Sequence, residues 1–194
     1  MEALGLSLPG SSAHNAVSQD NKQDSYNAGA AVRNLIKLGL KPSDILSREA
    51  FENAITLTIA LEGSTNAVLH LLAIAHAANI PLGIDDFSRV GRRVPVLADM
   101  RPAGVYAMSE LIEIGGILPL MKTLLNEGLL HGDCMTVTGK TMAENLADLA
   151  PLTPGQQVIG TFEKPVKPTG HIAVLQGNLA PEMAVGKITG KEGT

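Results

Sequence analysis

Four consecutive small or polar residues, Gly63 to Asn66, lie directly before an almost wholly apolar segment, and they are the first place in this sequence where chemistry could occur. A helix leaves the N–H groups of its first turn without partners inside the helix, and Ser, Thr and Asn side chains accept hydrogen bonds from such groups. The same N–H groups and the helix dipole favour a bound anion. Ser64, Thr65 and Asn66 are therefore either a helix cap alone or a cap that also binds an anion such as a small carboxylate. Gly63 would let such a group approach the backbone closely.

The histidines and acidic residues give weaker indications. Two histidines three or four residues apart would share one helical face and could bind a metal ion, but no such pair occurs among His14, His70, His76, His131 and His171. We expect His70 and His76 to form hydrogen bonds within the core rather than to bind a ligand. Asp85 and Asp86 are expected to cap a helix that begins near Phe87 rather than to act as an acid–base pair.

The composition argues against several classes of protein. The chain has 194 residues and a net charge of −4, with no concentration of Lys or Arg that would suit a nucleic-acid surface. The longest apolar run, residues 67–80, contains two histidines and an asparagine, so no membrane span is expected. Glu2 stands where a signal peptide would have basic residues, and a cytoplasmic location is the default. The single cysteine, Cys134, cannot alone ligate a cluster or a zinc ion, and we expect it to be a small buried side chain.

Apolar periodicity and capping residues predict a largely helical first part. Residues 134–138 alternate like a short strand. A helix is expected over residues 21–38, followed by a short helical turn after Pro42 and a helix capped by Ser47. Another helix is expected to begin at residues 64–66, and one more over residues 105–130 with a break at residues 115–119. A last helix should follow a cap at Thr141.

A change of pattern near Pro151 predicts a domain boundary. Beyond it the helical period disappears, and short Val/Ile-rich runs separated by Gly and Pro predict strands and turns. The fold class is therefore α/β, with residues 1–150 as part of a largely helical α/β domain and residues 151–194 as the first strands of an all-β domain. Both ends of the sequence interrupt an element, which indicates an internal segment of a larger protein.

Several segments together resemble one known family: SLPGSSA (7–13), KPSDIL (41–46), REAFENAI (48–55), GSTNAVLHLLAIA (63–75), DDF (85–87), RVPVLADMRPAG (93–104), GGILPLMKTLL (115–125), GLLHGDCMTVTGKTMAENL (128–146) and GHIAVLQGNLAPEMAVGKITGKEG (170–193). In this order they resemble the dihydroxy-acid and phosphogluconate dehydratase family, which also includes sugar-acid dehydratases. The TVTGKT stretch favours the dihydroxy-acid branch. The resemblance covers essentially the whole chain and implies an internal fragment of such an enzyme.

The resemblance implies a hydro-lyase that dehydrates 2,3-dihydroxy carboxylic acids to 2-keto acids in the biosynthesis of valine and isoleucine. It implies an iron–sulfur cluster that acts as a Lewis acid on the leaving C3 hydroxyl, and a magnesium ion that holds the carboxylate and the C2 oxygen. A serine alkoxide would take the C2 proton. It also implies a barrel-like C-terminal domain, a small dihydroxy acid as substrate and a homodimeric full-length enzyme.

The resemblance implies that the family's catalytic and metal-binding residues lie outside this chain, with the cluster cysteines upstream of the position of Met1. We therefore expect no catalytic or metal residue here, no cofactor bound by this chain, and no activity of the chain alone. Ser64, Thr65 and Asn66 stay the candidate substrate-binding residues, although Glu62, where the family usually has Gly, would compete with a bound anion. Two alternatives remain, a sugar-acid dehydratase of the same family and a non-catalytic module that binds a small anion or a partner protein.

Overall fold

The structure, a computed structural model, describes residues 1–189 as a largely helical chain that ends in a two-stranded antiparallel sheet. This mixed composition confirms the α/β class. A 3-10 helix, Ser11–Ala13, comes first. The α-helices of the described residues are α1 (Gln19–Leu38), α2 (Pro42–Ile45), α3 (Arg48–Ala60), α4 (Asn66–Ala77), α5 (Asp85–Gly91), α6 (Met108–Glu113), α7 (Ile117–Asn126) and α8 (Met142–Leu146), and the strands are β1 (Ile172–Gly177) and β2 (Ala180–Lys187).

The chain forms two compact units, and each unit is built from two separate stretches of sequence. The first comprises Met1–Ala54 and Met108–Gln156, and the second comprises Ile55–Ala107 and Gln157–Thr194. Helix α3 begins in the first unit and ends in the second. The domain boundary near residue 151 stays a prediction that comes from the change of local pattern.

Capping residues set the helix ends largely as the sequence predicts. The Ser18 hydroxyl accepts a backbone N–H at the start of α1, and Gly39 ends that helix with a φ of 68°. The Ser47 hydroxyl accepts the Ala50 N–H at 3.2 Å at the start of α3. The expected break within residues 105–130 separates α6 from α7 at two glycines, Gly115 and Gly116, whose φ values of 114° and 74° disfavour other residues.

The first unit buries a core of Leu, Ile and Met side chains together with Phe51. Helices α7 and α8 pack together, and the Lys122 ammonium donates to the carbonyls of Ala147 and Leu149 at 2.8 and 2.7 Å, which stabilises the end of α8. The fully buried members of this core include Leu4, Leu111, Leu120, Met121, Leu124 and Leu146.

The second unit packs the β1–β2 hairpin beside α5. The strands pair in antiparallel register from Ile172 opposite Lys187. The Gln176 amide donates to the Asp85 carboxylate at 3.4 Å and links the hairpin to the start of α5, the helix predicted to begin near Phe87. The fully buried members of this core include Ile55, Ile59, Phe87, Val90, Val94 and Leu97.

Residues 134–138, which alternate like a strand, do not form one. The only ladder contact in this stretch is an isolated bridge between Met135 and Thr141. A network of threonine hydroxyl groups replaces the ladder: Thr136 Oγ1 donates to the Lys140 carbonyl at 2.8 Å, and Thr138 Oγ1 donates to the Asn145 side chain at 3.0 Å. Local side-chain hydrogen bonds of this kind compete with strand pairing, which is the physical reason that the prediction was wrong.

Candidate functional site

The candidate site begins where α3 ends, at Glu62 and Gly63. The Gly63 N–H donates to the Thr58 carbonyl at 2.7 Å and the Glu62 N–H donates to the Ile59 carbonyl at 3.1 Å, a helix-ending motif that needs one left-handed residue. Glu62 is that residue, with a φ of 53°. A Cβ atom on Gly63 would lie 2.9 Å from the Thr58 carbonyl oxygen, so the end of α3 already requires a glycine there.

Ser64, Thr65 and Asn66 lie together at the N-terminus of α4, as predicted. The Ser64 hydroxyl accepts the Asn66 N–H at 3.2 Å, and Thr65 makes no capping bond with its side chain. Within residues 1–189, the N–H groups of Ser64 and Thr65 donate to no protein acceptor. Ser64 and Asn66 are exposed and Thr65 is half-buried. One of the three side chains is therefore a cap, and two N–H groups remain available for an anion.

Helix α4 is not buried on all sides, contrary to what its apolar sequence predicts. Val68, Leu71 and Ala75 are buried, but Leu69 is 69% exposed. The two histidines expected to hydrogen-bond in the core, at positions 70 and 76, are also exposed, and that prediction was wrong. Apolarity indicates that a face can be covered but does not indicate which neighbour covers it. No helix of residues 1–189, α4 included, combines the length and apolarity needed to cross a membrane.

Two residues that were not predicted as site residues form hydrogen bonds with the backbone of the α3–α4 turn. His171 is fully buried, and its Nε2 atom lies 2.7 Å from the Gly63 carbonyl oxygen. The Lys187 ammonium donates to the Glu62 carbonyl at 2.8 Å. Two consecutive carbonyl groups of the turn are thus hydrogen-bonded by side chains from the hairpin region.

Close backbone packing places His171. The Gly170 N–H donates to the Gly91 carbonyl at 2.7 Å, and a Cβ atom on Gly170 would lie 2.9 Å from the Gly91 Cα and 3.2 Å from the Ile59 side chain. Glycine at position 170 therefore brings the following residue against the end of α3. The pair Gly170–His171 was the available signal in the sequence, since a glycine before a polar residue in a strand pattern can mark close backbone approach.

The electrostatic surroundings of His171 favour its neutral form. Burial is the main cause that lowers the pKa of the imidazole. The hydrogen bond to the Gly63 carbonyl acts in the opposite direction, and the positive charges of Lys187 and Lys167 lower the pKa further. A neutral imidazole has one N–H group, and because a carbonyl oxygen can only accept, Nε2 must carry the proton.

A second buried polar cluster surrounds Cys134 in the first unit. The Asn53 side chain forms two hydrogen bonds with the backbone of His131: its oxygen accepts the N–H at 2.7 Å and its amide donates to the carbonyl at 2.9 Å. The Asn53 amide also lies 3.6 Å from the Cys134 sulfur. Burial raises the pKa of the Cys134 thiol, and the hydrogen bond with Ser47 only partly offsets this effect. Cys134 is a small buried side chain, as the sequence predicts, and its raised pKa disfavours the nucleophilic thiolate form.

The described residues contain no group of three or more His, Cys, Asp or Glu side chains that could hold a metal ion. A groove of about 320 Å³ opens in the first unit beside α1. Its polar end contains Ser7, Ser11 and Asp24, and the Asp24 carboxylate lies 2.6 Å from the His14 ring. The sequence predicted none of these residues as a site.

Two family descriptions match the chain in succession. Residues 1–145 match the description "Dihydroxy-acid/6-phosphogluconate dehydratase N-terminal", and residues 157–194 match the corresponding C-terminal description.

Curated relatives match along the whole chain. The chain is 63% identical over 194 residues to the dihydroxy-acid dehydratase of Chromohalobacter salexigens, covering 100% of this chain and 34% of that protein. It is 62% identical over 193 residues to the dihydroxy-acid dehydratase of Methylococcus capsulatus, again with 100% and 34% coverage. It is 59% identical over 190 residues to that of Streptococcus pneumoniae, with 98% and 34% coverage. The chain therefore spans about a third of the length of the curated relatives it matches.

Proposed function

The chain belongs to the dihydroxy-acid/6-phosphogluconate dehydratase family, and on that premise we propose that it is a segment of a dihydroxy-acid dehydratase. The observation that carries this proposal is identity of 58–63% with proteins of that name over the whole chain. The complete enzyme would remove water from a 2,3-dihydroxy carboxylic acid and yield a 2-keto acid in valine and isoleucine biosynthesis. It would act in the cytoplasm as a homodimer.

The reaction breaks the C3–O bond and the C2–H bond and releases one water molecule, after which the enol becomes the ketone. An iron–sulfur cluster and Mg²⁺, which the family implies, do not fit the residues of this chain. Its single thiol, Cys134, is buried beside Asn53 and Ser47, and no metal-binding group of three acidic, histidine or cysteine side chains occurs within residues 1–189. Ligands for both cofactors would come from elsewhere in the longer protein.

The role that this segment can have is to bind the carboxylate of the substrate at the α3–α4 turn. The unpaired N–H groups of Ser64 and Thr65 and the N-terminus of a 12-residue helix support this assignment, because both favour negative charge. The exposed side chain of Asn66 would add a donor. Titration of the chain with 2,3-dihydroxyisovalerate should shift the amide NMR signals of residues 64–66, and a titration without such shifts would refute the assignment.

The hairpin is proposed as the beginning of a barrel-like C-terminal domain that starts near residue 151. Within residues 1–189, strands β1 and β2 pair only with each other. The match of residues 157–194 to a separate C-terminal description supports further strands beyond them. The unpaired edge of a strand in such a sheet normally pairs with a further strand or is covered by another element.

An assay of the longer protein that contains this segment tests the proposal. The anaerobically purified protein should convert 2,3-dihydroxyisovalerate to its 2-keto acid, and it should convert 6-phosphogluconate at least about tenfold less efficiently, since the two substrates differ by a charged group. Preference for 6-phosphogluconate would show that the protein is a phosphogluconate dehydratase and would refute the proposed substrate. Inactivity toward both substrates with an intact cluster would refute a dehydratase.

A further inference from the structure

We infer that His171 is a positioning residue that holds the Gly63–Ser64 peptide group of the α3–α4 turn in place. The consequence for substrate binding rests on the proposed function, because the same turn carries Ser64, Thr65 and Asn66. The hydrogen bond itself does not depend on that proposal. No role for His171 follows from the chemistry of the dehydration.

The hydrogen bond acts directly on the peptide group whose N–H belongs to Ser64. Nε2–H of the fully buried His171 donates to the carbonyl of the half-buried Gly63 at 2.7 Å. A donor on a peptide carbonyl polarises the whole peptide group, so the N–H on its other side becomes a stronger donor. The Ser64 N–H is one of the two groups left without a protein acceptor within residues 1–189. His171 therefore fixes the direction of this N–H and strengthens it for an anion.

The imidazole can set this position because its own backbone is fixed. The Ile188 N–H donates to the His171 carbonyl at 2.7 Å, and Gly170 is held against Gly91. Lys187 makes the parallel contact to the Glu62 carbonyl, but its ammonium is half-buried and stands on a flexible stem. The rigid, fully buried imidazole ring of His171 therefore fixes the position of the turn more precisely than Lys187 does.

Two positive charges act on the ring, and the charged groups of the neighbouring helix α5 are bonded to other residues. Lys167 and Lys187 are the cations whose charge acts on it, and their ammonium groups donate to backbone carbonyls. On the neighbouring helix α5, Asp85 accepts from Gln176 and the Asp86 carboxylate pairs with Arg89 at 3.0 Å. A second proton on the ring would leave Nε2–H in place but add a buried charge beside two lysines. The turn should then open more often in acid.

The experiment uses isotope-labelled 194-residue chain and three variants. In His171→Phe a ring remains but the donor is lost, whereas His171→Gln carries an amide donor near the position of Nε2 and cannot titrate. His76→Gln is the matched control, because this histidine lies exposed on α4. The readouts are the carbonyl carbon signal of Gly63, the amide nitrogen signal of Ser64 and the hydrogen exchange of Gly63.

In His171→Phe both signals should move and the Gly63 amide should exchange about five- to tenfold faster, as expected for the loss of one hydrogen bond. His171→Gln should restore most of the change, and His76→Gln should show none. In the unchanged chain the Ser64 signal should titrate together with the His171 ring signals, and this titration should vanish in His171→Gln. Should His171→Phe not fold, the titration in the unchanged chain and its loss in His171→Gln decide the inference.

A Ser64 signal that is insensitive to pH while the His171 ring titrates would overturn the inference, as would unchanged Gly63 and Ser64 signals in a folded His171→Phe. Sulfate titration of the same samples separates this result from the proposed function. Absence of sulfate-induced shifts at residues 64–66, with all the other results as expected, would refute the anion site and leave the positioning role of His171 intact.

Discussion

Two buried side chains, Asn53 in the first unit and His171 in the second, hold the backbone of a distant loop by hydrogen bonds. Asn53 binds both the N–H and the carbonyl of His131, whereas His171 binds a single carbonyl, that of Gly63. Both side chains are fully buried. The contact of Asn53 is comparable to a pair of strand hydrogen bonds, and an amide does not titrate.

The difference shows what each loop requires. The loop around His131 is held at a donor and an acceptor, so it has little freedom to change its hydrogen bonds. His171 and Lys187 hold the α3–α4 turn at two of its carbonyl groups, which leaves the N–H groups of Ser64 and Thr65 available. The contact of Asn53 is suited to stability alone. The contact of His171 stabilises the turn and leaves N–H donors exposed.

Replacement of Asn53 by Ala should have the largest effect. It removes two hydrogen bonds from the backbone of the half-buried His131 and leaves a cavity at the fully buried position 53, so the free energy of unfolding should fall by about 2–4 kcal/mol. Urea denaturation measures this change. Asn34→Ala, on the exposed surface of α1, is the control and should change the value by less than about 0.5 kcal/mol. Equal denaturation midpoints for the two variants would contradict the role of Asn53.

Replacement of Gly63 by Ala should have the next largest effect. The new Cβ atom would lie 2.9 Å from the Thr58 carbonyl oxygen, which cannot move without distorting α3. The expected loss is about 1–3 kcal/mol of unfolding free energy, as for other overpacked sites. Gly29→Ala is the control, because a Cβ atom there meets nothing within 4 Å and alanine suits a helix better. A Gly63→Ala variant as stable as Gly29→Ala would show that the turn is not tightly packed.

Acid should weaken the fold through His171 and not through Asn53. The pKa of the folded imidazole is lowered, so the unfolded state binds the proton more readily. Its contribution is complete above about pH 6.5 and is lost as the pH falls below this value toward the lowered pKa of the folded state. The unfolding free energy of His171→Gln should therefore decline less between pH 7 and pH 5 than that of the unchanged chain. Parallel declines would disprove the assignment of the effect to His171.

The smallest effect is expected at the exposed cap. Ser64→Ala removes one hydrogen bond of 3.2 Å, and we expect a loss of about 0.5–1 kcal/mol. Asn66→Ala should be nearly neutral for stability, because its side chain has no hydrogen bond within residues 1–189, although it should weaken any binding of the dihydroxy acid. Thermal denaturation of both variants checks this order. A larger loss for Asn66→Ala would mean that Asn66 is itself a structural cap.

Local signals predicted the helices well. Gly39, Ser47 and the two glycines at positions 115 and 116 end or begin helices because their side chains or backbone angles suit those positions whatever the surrounding fold. Strands after residue 151 were also predicted, and β1 and β2 lie there, since short Val/Ile-rich runs separated by Gly and Pro are a local signal. In this chain, helix ends and short strands depend on neighbours in sequence.

Properties that depend on distant residues could not be predicted. The exposure of Leu69 depends on which face of α4 has a neighbour. The missing strand at residues 134–138 has a local cause instead: threonine hydroxyl groups bond within the loop, and the alternating pattern did not reveal this. His171 contacts Gly63 across 108 positions, so no local pattern in one sequence could join them. Part of the candidate site was predictable because it is a helix N-terminus, while the residues that support it were not.

The long sequence separation of these contacts has a consequence during protein synthesis. The Glu62 carbonyl pairs with Lys187, 125 positions later, and the Gly63 carbonyl with His171, 108 positions later. At translation rates of about 5–20 residues per second, the turn leaves the ribosome about 5–25 seconds before its partners leave it. During that interval only water can satisfy the two carbonyl groups. The end of α3 should therefore acquire its native protection against proteases late, when the strands of the hairpin have emerged.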